Sequence, residues 1–370
     1  MLKKNVAVLD FGSSKITVLV GNRGVNNNFN ILSNGQADYA GFMDGEFLEP
    51  NTLKYSVDSA IKKAEEGLRD KIKQLYIGVP SEFCKTQETE LEINFGKRTL
   101  VKKKHVDEMF AKSDNVYDSA YIIISMSPMY YILDDGNKTN SPIGVYSTSL
   151  KARVSIIYVE NKFVHIINSI MHDGKNIDCE FVCSAFAEGL YLLNADERNN
   201  SVILVDIGYI TTSVTHMIGE GLADLRSFSQ GGGFISGDLS DALEISFGEA
   251  EQLKRKLILS IQATGIDYYE IVSADKLEKI PAKQANDVAL ARLDTIVDEI
   301  KHSIDSFDNL VDENAPIYLT GGGLSYLKGA KNYISKALDR QVIIVKPKAL
   351  QYRNPELSSV MALLDFALNE

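Results

Sequence analysis

A chain of 370 residues has room for two domains with insertions. Its net charge of −11 and pI near 5.1 argue against bulk attraction to nucleic acid or an anionic membrane, while 45% hydrophobic and 24% charged residues suit an ordinary globular core. No apolar run nears the ~20 residues of a spanning helix, and Met1 to Asn5 leads straight into a strand rather than a signal-peptide core.

In chain order, residues 5–11, 15–22 and 28–34 read as a β-meander, with Asn26 to Asn28 as a turn. The first hairpin carries Asp10-Phe11-Gly12-Ser13-Ser14-Lys15 at its bend. Leu53, Val57, Ile61, Ala64 and Leu68 recur at helical spacing over 51–70, with Asn51 as the expected cap. A strand over 72–79 then stops at Pro80. The basic block 96–104 precedes an expected helix over 102–113; runs of this kind are usually solvated faces. Strands at 119–126, 129–134 and 149–159 and a helix over 161–172 complete a small α+β module.

Three cysteines (Cys84, Cys179, Cys183) suit a reducing compartment, and Cys179 and Cys183 are spaced to share a helix face. After a strand from Asp178 and a helix over 185–193, a second hairpin repeats the first: Leu204-Val205-Asp206-Ile207-Gly208-Tyr209-Ile210-Thr211-Thr212, then an apolar run to Ile218. Residues 234–262 and 286–310 have helical patterning. A strand over 317–320 enters Gly321-Gly322-Gly323, followed by an expected helix over 324–338 and a strand over 342–345. Strands alternating with helices in this half point to α/β layers.

Two Asp-x-Gly-hydroxyl bends suit a clamp on a phosphate chain. Backbone N–H groups and the hydroxyls of Ser13, Ser14, Thr211 and Thr212 can donate to phosphate oxygens, and Gly12 and Gly208 permit close approach. Asp10 and Asp206 are placed to hold a hydrated Mg²⁺, and Lys15 adds positive charge. Gly321, Gly322 and Gly323 can lie flat against a base or ribose. Gly232 and Gly233, opening a helix, can present N–H groups or serve as a flexible joint. Glu251 and Lys254 share a helix face, where they either reach a ribose or pair with each other. Neither a P-loop nor a strand-to-helix GxGxxG is present.

Together these segments resemble the actin, hexokinase and DnaK-type ATPase superfamily, and more closely the FtsA family of bacterial actin homologues. Asp10 to Lys15 matches the first phosphate motif, Asp206 to Thr212 the second, and Leu319 to Leu324 the adenosine motif. Ser141-Pro142-Ile143-Gly144, Glu249 to Lys254 and Asn354-Pro355 follow in the family's order.

The resemblance implies a two-lobed α/β fold of duplicated ribonuclease-H-like domains. A first lobe would comprise 1–81, 173–195 and 350–370, with the module 82–172 inserted. The second lobe would comprise a core of 196–246 and 301–349 and a helical subdomain of 247–300. It further implies ATP and Mg²⁺ as ligands, polymerisation into protofilaments, and binding of the C-terminal peptide of FtsZ and other division proteins at the inner face of the cell membrane.

Two departures stand out. Tyr209, Ile210 and Ser213 replace two glycines and an acid of the second motif, which narrows phosphate approach and leaves at most a slow ATPase with no nominated base. The last helix is apolar with an acidic end, unlike a membrane-surface helix, so it is expected to pack on the first lobe. Membrane contact would then be indirect or through a tail beyond residue 370. A PilM-like pilus component and a small-molecule kinase of the same superfamily are the alternative readings.

Overall fold

The computed structural model describes residues 5–24, 29–111, 119–273, 276–309 and 311–370; the expected turn at 26–28 and the end of the helix expected over 102–113 lie outside them. Strands β1 (Val6–Phe11) and β2 (Lys15–Arg23) form the first hairpin, with Asp10 opposite Thr17. β3 (Phe29–Asp38) continues the meander beyond its expected end at 34. After a short ribbon, β4 (Phe42–Met43) and β5 (Glu46–Phe47), helix α1 (Pro50–Glu66) buries Leu53, Val57, Ala60, Ile61 and Ala64 against the sheet. Asn51 is not its cap. Pro50 takes the first helical turn, where its missing N–H is no loss, and Glu49 precedes it. β6 (Gln74–Val79) then runs parallel to β1.

The inserted module is more regular than its sequence suggests. β7 (Cys84–Leu100) is one long strand where none is expected, and its Glu88, Glu90 and Glu92 alternate with Leu91 and Ile93. The acids find partners on the facing strand: Arg153 Nε lies 2.6 Å from Glu88 and Lys151 Nζ 2.9 Å from Glu90. α2 (Lys103–Ala111) seats Met109 on the module's core. β8 (Tyr121–Leu133) replaces the two strands expected. Pro128 does not end it, because the register shifts there opposite Arg153 and Val154 and the lost N–H falls at an irregularity. β9 (Lys138–Thr139), β10 (Tyr146–Glu160) and α3 (Asn161–His172) complete the module. β11 (Asp178–Cys183) returns to the first sheet parallel to β6, so Cys179 and Cys183 share a strand rather than a helix.

α4 (Ser184–Leu192) and α5 (Ala195–Asn199) lead into the second meander, β12 (Val202–Ile207), β13 (Thr212–Ile218) and β14 (Gly221–Phe228). The helix expected over 234–262 is two. α6 (Gly232–Leu243) stops at Glu244 in a left-handed conformation (φ 53°), and α7 (Phe247–Lys254) begins at a capping box of Ser246 and Glu249. A hairpin, β15 (Tyr268–Ser273) and β16 (Lys276–Pro281), was not anticipated, and α8 (Ala282–Asp305) starts directly after it. β17 (Ile317–Thr320), α9 (Ala330–Leu338), β18 (Val342–Ile344) and α10 (Ser358–Asn369) follow. Turns occupy 321–327, so α9 starts later than the expected 324.

Two five-stranded sheets with identical wiring result. Their orders are β11-β6-β1-β2-β3 and β14-β13-β12-β17-β18, each an antiparallel meander extended by two parallel strands. This is the two-lobed actin-like architecture. α10 lies against β1, β2 and α4, with Val360, Met361, Ala362, Leu363, Leu364 and Ala367 all buried. Among the described residues no helix is long and apolar enough to cross a membrane.

Leu363 is fully buried in this packing. Leu363→Ala should cost about 2–5 kcal/mol of stability, read as a lowered denaturant midpoint. An unchanged midpoint would mean that α10 does not hold the first lobe.

Candidate functional site

Because the two sheets share one topology, each places its β-hairpin bend at the same end. The bends face each other across a cavity of about 360 Å³, within the usual size of a small-molecule site. It is lined by Asp10, Gly12, Ser13, Ser14 and Lys15 from the first hairpin and by Asp206, Gly208, Tyr209 and Thr211 from the second. Glu251, Lys254, Gly321, Gly322 and Gly323 close the far side.

Three of the expected residues stand behind this wall. Thr212 is buried and donates its hydroxyl to Gln230 O at 2.7 Å. Gly232 N donates to Gly208 O at 2.9 Å and Gly233 N to Tyr209 O at 2.7 Å, so these amides hold the second bend in place. The Gly triplet has a similar double duty. Gly321 has φ +98° and leaves no room for a Cβ, which would stand 2.1 Å from Asp206 Oδ1. The triplet thus lines the cavity and lets β17's end pass close under the second bend.

The bends also touch. Ser13 Oγ accepts from Tyr209 N at 3.1 Å and Ile210 N at 2.9 Å, so one hydroxyl occupies two amides of the opposite bend. Farther out, Ser213 donates to Ser81 at 2.8 Å, and Ser229 bridges Asp44 at 2.8 Å and Glu82 at 3.1 Å. Tyr209 does not face away. Its ring lines the cavity beneath Lys254 Nζ at 5.4 Å, and burial with the nearby Glu251 carboxylate pushes its hydroxyl up to about 12. Lys254 Nζ donates to Glu251 at 2.6 Å and to Gly232 O at 2.9 Å, and Ser236 donates to the same Glu251 oxygen. The Glu251–Lys254 pair is therefore a half-buried internal link at the cavity wall rather than an exposed ion pair.

The floor is acidic. Asp10 accepts from Ser359 Oγ of α10 at 2.6 Å; burial raises its carboxyl to about 6 against the lowering effect of that hydrogen bond. Asp206 is raised to about 7 by burial and then by the charge of Asp10, and its Oδ1 has no hydrogen-bond partner. Glu188, on α4, was missed by the sequence reading. It is 2% exposed, lines the cavity, and leaves Oε1 without a partner. Burial, then Asp206, then Asp10 push its carboxyl well above the usual range. Its place in the apolar run Ala185-Phe186-Ala187-Glu188-Gly189-Leu190, where a charged residue is otherwise rare, was the available signal.

Orphaned buried carboxylate oxygens are a good fit for a divalent cation. Among the described residues no three acidic, imidazole or thiol groups are gathered as a ready-made cage. A strongly hydrated ion such as Mg²⁺, which keeps most of its waters and takes few carboxylates, suits this spacing better than a directly ligated one.

An actin-like fold is the class that this architecture defines. A family model described as cell division protein FtsA matches residues 203–362. The chain is 23% identical to cell division protein FtsA of Bacillus subtilis, over 97% of this chain and 82% of that protein. It is 24% identical to that of Streptococcus pneumoniae serotype 2, over 97% and 79%. Among solved structures, the PilM–PilN type IV pilus biogenesis complex gives a TM-score of 0.64 at 15% identity, over 98% of both chains. MreB5 of Spiroplasma citri bound to AMPPNP gives 0.56 at 12% identity, over 96% and 95%. Over nearly its whole length the chain is thus similar to FtsA proteins, and its fold is the one shared by these actin-like structures.

Two outcomes follow from this geometry. The carboxyls of Asp10 and Asp206, raised from 3.8 to about 6 and about 7, hold protons in the folded state that the unfolded chain has released. Stability of the ligand-free protein should therefore fall as pH rises from about 4 to 7. Asp206→Asn should flatten that slope in urea titrations at stepped pH, and an identical slope would count against the assignment. Separately, Ser13→Ala should free the Tyr209 and Ile210 amides, weakening that contact by about 1–3 kcal/mol. Faster hydrogen exchange confined to 207–211 would be the sign; unchanged exchange would show that the bridge is not formed in solution.

Proposed function

We propose that the chain is an ATP-binding, actin-like scaffold of bacterial cell division that polymerises and links FtsZ filaments to the division machinery. The observation that carries this reading is the pairing of two Asp-x-Gly bends across one cavity, in a chain whose curated relatives are FtsA over nearly its whole length. Asp10 and Asp206 would hold a hydrated Mg²⁺, which supplies positive charge beside the phosphates. Ser14, Lys15 and Thr211 line the phosphate end, and Gly321 to Gly323 the nucleoside end.

For phosphate to reach the amides of Tyr209 and Ile210, Ser13 must release them, so nucleotide entry is coupled to the seam between the lobes. A clamp that reports its occupancy through its lobes suits a regulated scaffold better than a fast enzyme. The partner in this reading is the C-terminal peptide of FtsZ, with action at the inner face of the membrane at the division site.

Labelled ATP with Mg²⁺ should bind the wild type, and Asp10→Ala should lose at least about tenfold in affinity. A fluorescent FtsZ C-terminal peptide should bind in anisotropy measurements, and ATP should promote pelleting of the protein. Wild type that binds no ATP would make this a nucleotide-free scaffold. Failure of both peptide binding and pelleting would end the division reading.

A further inference from the structure

Two of the three cysteines meet where the inserted module joins the first lobe. Cys183 ends β11, an edge strand of the first sheet, and stands opposite Val79 of β6. From Val79 the chain turns through Ser81–Phe83 and starts β7 at Cys84, which packs against the core cluster that holds Cys183. The Cys84 thiol donates toward the Cys183 sulfur. Both are free thiols, Cys183 buried and Cys84 half-buried.

Buried cysteines are ordinarily inert, but this pair has the parts of a reactive one. Cys183 immediately precedes α4, whose Phe186 and Ala185 amides lie beside its sulfur. The Cys84 hydrogen bond and then these amides draw its thiol below the usual range against the effect of burial. Burial, followed by the contact with Cys183, pushes the Cys84 thiol well up. The two sulfurs therefore differ in character, one disposed to attack and the other to hold its proton. Access is also present. A cavity of about 180 Å³ is lined by Cys183 with Tyr76, Ser125, Glu180, Phe186 and Phe366. A water molecule occupies about 30 Å³, so a small polar oxidant fits. Cys179 provides the contrast: its thiol faces Ile177 O at 3.8 Å, burial and then Asp178 push it up to about 12, and it lines neither cavity.

We propose that Cys84 and Cys183 form a peroxide-sensitive thiol–disulfide site, with Cys183 as the attacking sulfur and Cys84 as the resolving one. The Cys183 thiolate, its proton released to solvent, attacks one oxygen of hydrogen peroxide. The O–O bond breaks, Cys183 becomes a sulfenic acid, and the departing hydroxide takes the Cys84 proton and leaves as water. The Cys84 thiolate then attacks the Cys183 sulfur. The S–S bond forms, the S–O bond breaks, and the second hydroxide recovers a proton from solvent as water. Two thiols are oxidised to a disulfide and one peroxide is reduced to two waters; a dithiol reverses the change by exchange. The bond fastens the start of the module's β7 to the junction of β11 and α4. Ser184 and Ala185, next along the chain from Cys183, line the cavity between the bends, so the redox state of the pair bears directly on that site. The chemistry itself is independent of the nucleotide reading.

Equimolar hydrogen peroxide added to the reduced protein should remove two of its three titratable thiols without linking chains together. Peptide mass spectrometry under non-reducing conditions should find Cys84 joined to Cys183 and Cys179 unmodified, and dithiothreitol should restore all three thiols. In Cys84→Ser, dimedone should trap Cys183 as its sulfenic acid; in Cys183→Ser, peroxide should consume Cys84 at least about tenfold more slowly than in the wild type. Three thiols that survive peroxide, oxidation of Cys179 first, or sulfinic acids without the Cys84–Cys183 link overturn the proposal. An unlabelled Cys183 in Cys84→Ser overturns the assignment of the attacking sulfur. The wild-type peptide map needs no variant, so it decides the matter even if substitution at buried Cys183 prevents folding.

Discussion

Two aspartates drawn largely out of water near the ends of matching strands set the terms for the rest of this molecule. Asp10 is the penultimate residue of β1 and Asp206 of β12; Asp10 is buried and Asp206 half-buried, in places where a lone carboxylate is costly. Among the described residues neither has a basic partner. Burial raises both, and the charge of Asp10 raises Asp206 further. A fold that keeps such a pair invests stability in a site intended for positive charge. Its elements can be read as means of holding that unfavourable arrangement.

Duplication of one sheet is the first of those means. Each lobe has a meander with two parallel strands beside it, so both aspartates sit at the same strand end and both bends lie at the seam. α10 is the second. It packs apolar residues over β1 and α4 and sends Ser359 to Asp10 and Ser358 to Thr320 at 2.6 Å each. The helix therefore ties Asp-bearing β1 to β17, the strand that pairs with Asp-bearing β12. Glycine is the third. Gly321, Gly323 and Gly232 each meet backbone or Asp206 atoms where a Cβ would have to stand, so three loops converge within van der Waals reach.

Much of this was legible from residues alone, because the signals were local. The hairpin bends, the matched Asp-x-Gly spacing and the Gly triplet are short-range patterns, and they led to the actin-like class. What escaped was long-range or context-bound. β7 shows no strand pattern of its own until its acids meet Arg153 and Lys151 on β10. Pro128 reads as a strand end until a register shift absorbs it. The helix expected over 234–262 conceals a left-handed stop at Glu244, which is not a glycine. Glu188 left only the signal of a carboxylate in an apolar run, because its meaning depends on which side of α4 meets the cavity, and that is decided by the crossover from β11.

The unequal bends now have a physical interpretation. In the first, a small hydroxyl, Ser13, reaches across the seam; in the second, a large ring, Tyr209, turns into the cavity beside Glu251 and Lys254. The ring's neighbours are themselves committed, with Lys254 donating to Gly232 O and Glu251 accepting from Ser236 and Lys254. This side of the cavity is consequently stiff, fastened to α6 and α7 rather than to a ligand. The opposite bend carries the exposed Lys15 and a single hydroxyl bridge that can be exchanged. Movement on ligand entry should thus be taken up at the Ser13 seam, where two hydrogen bonds are at stake, and not at the Tyr209 ring, where a half-buried ion pair and a packed ring would have to break together.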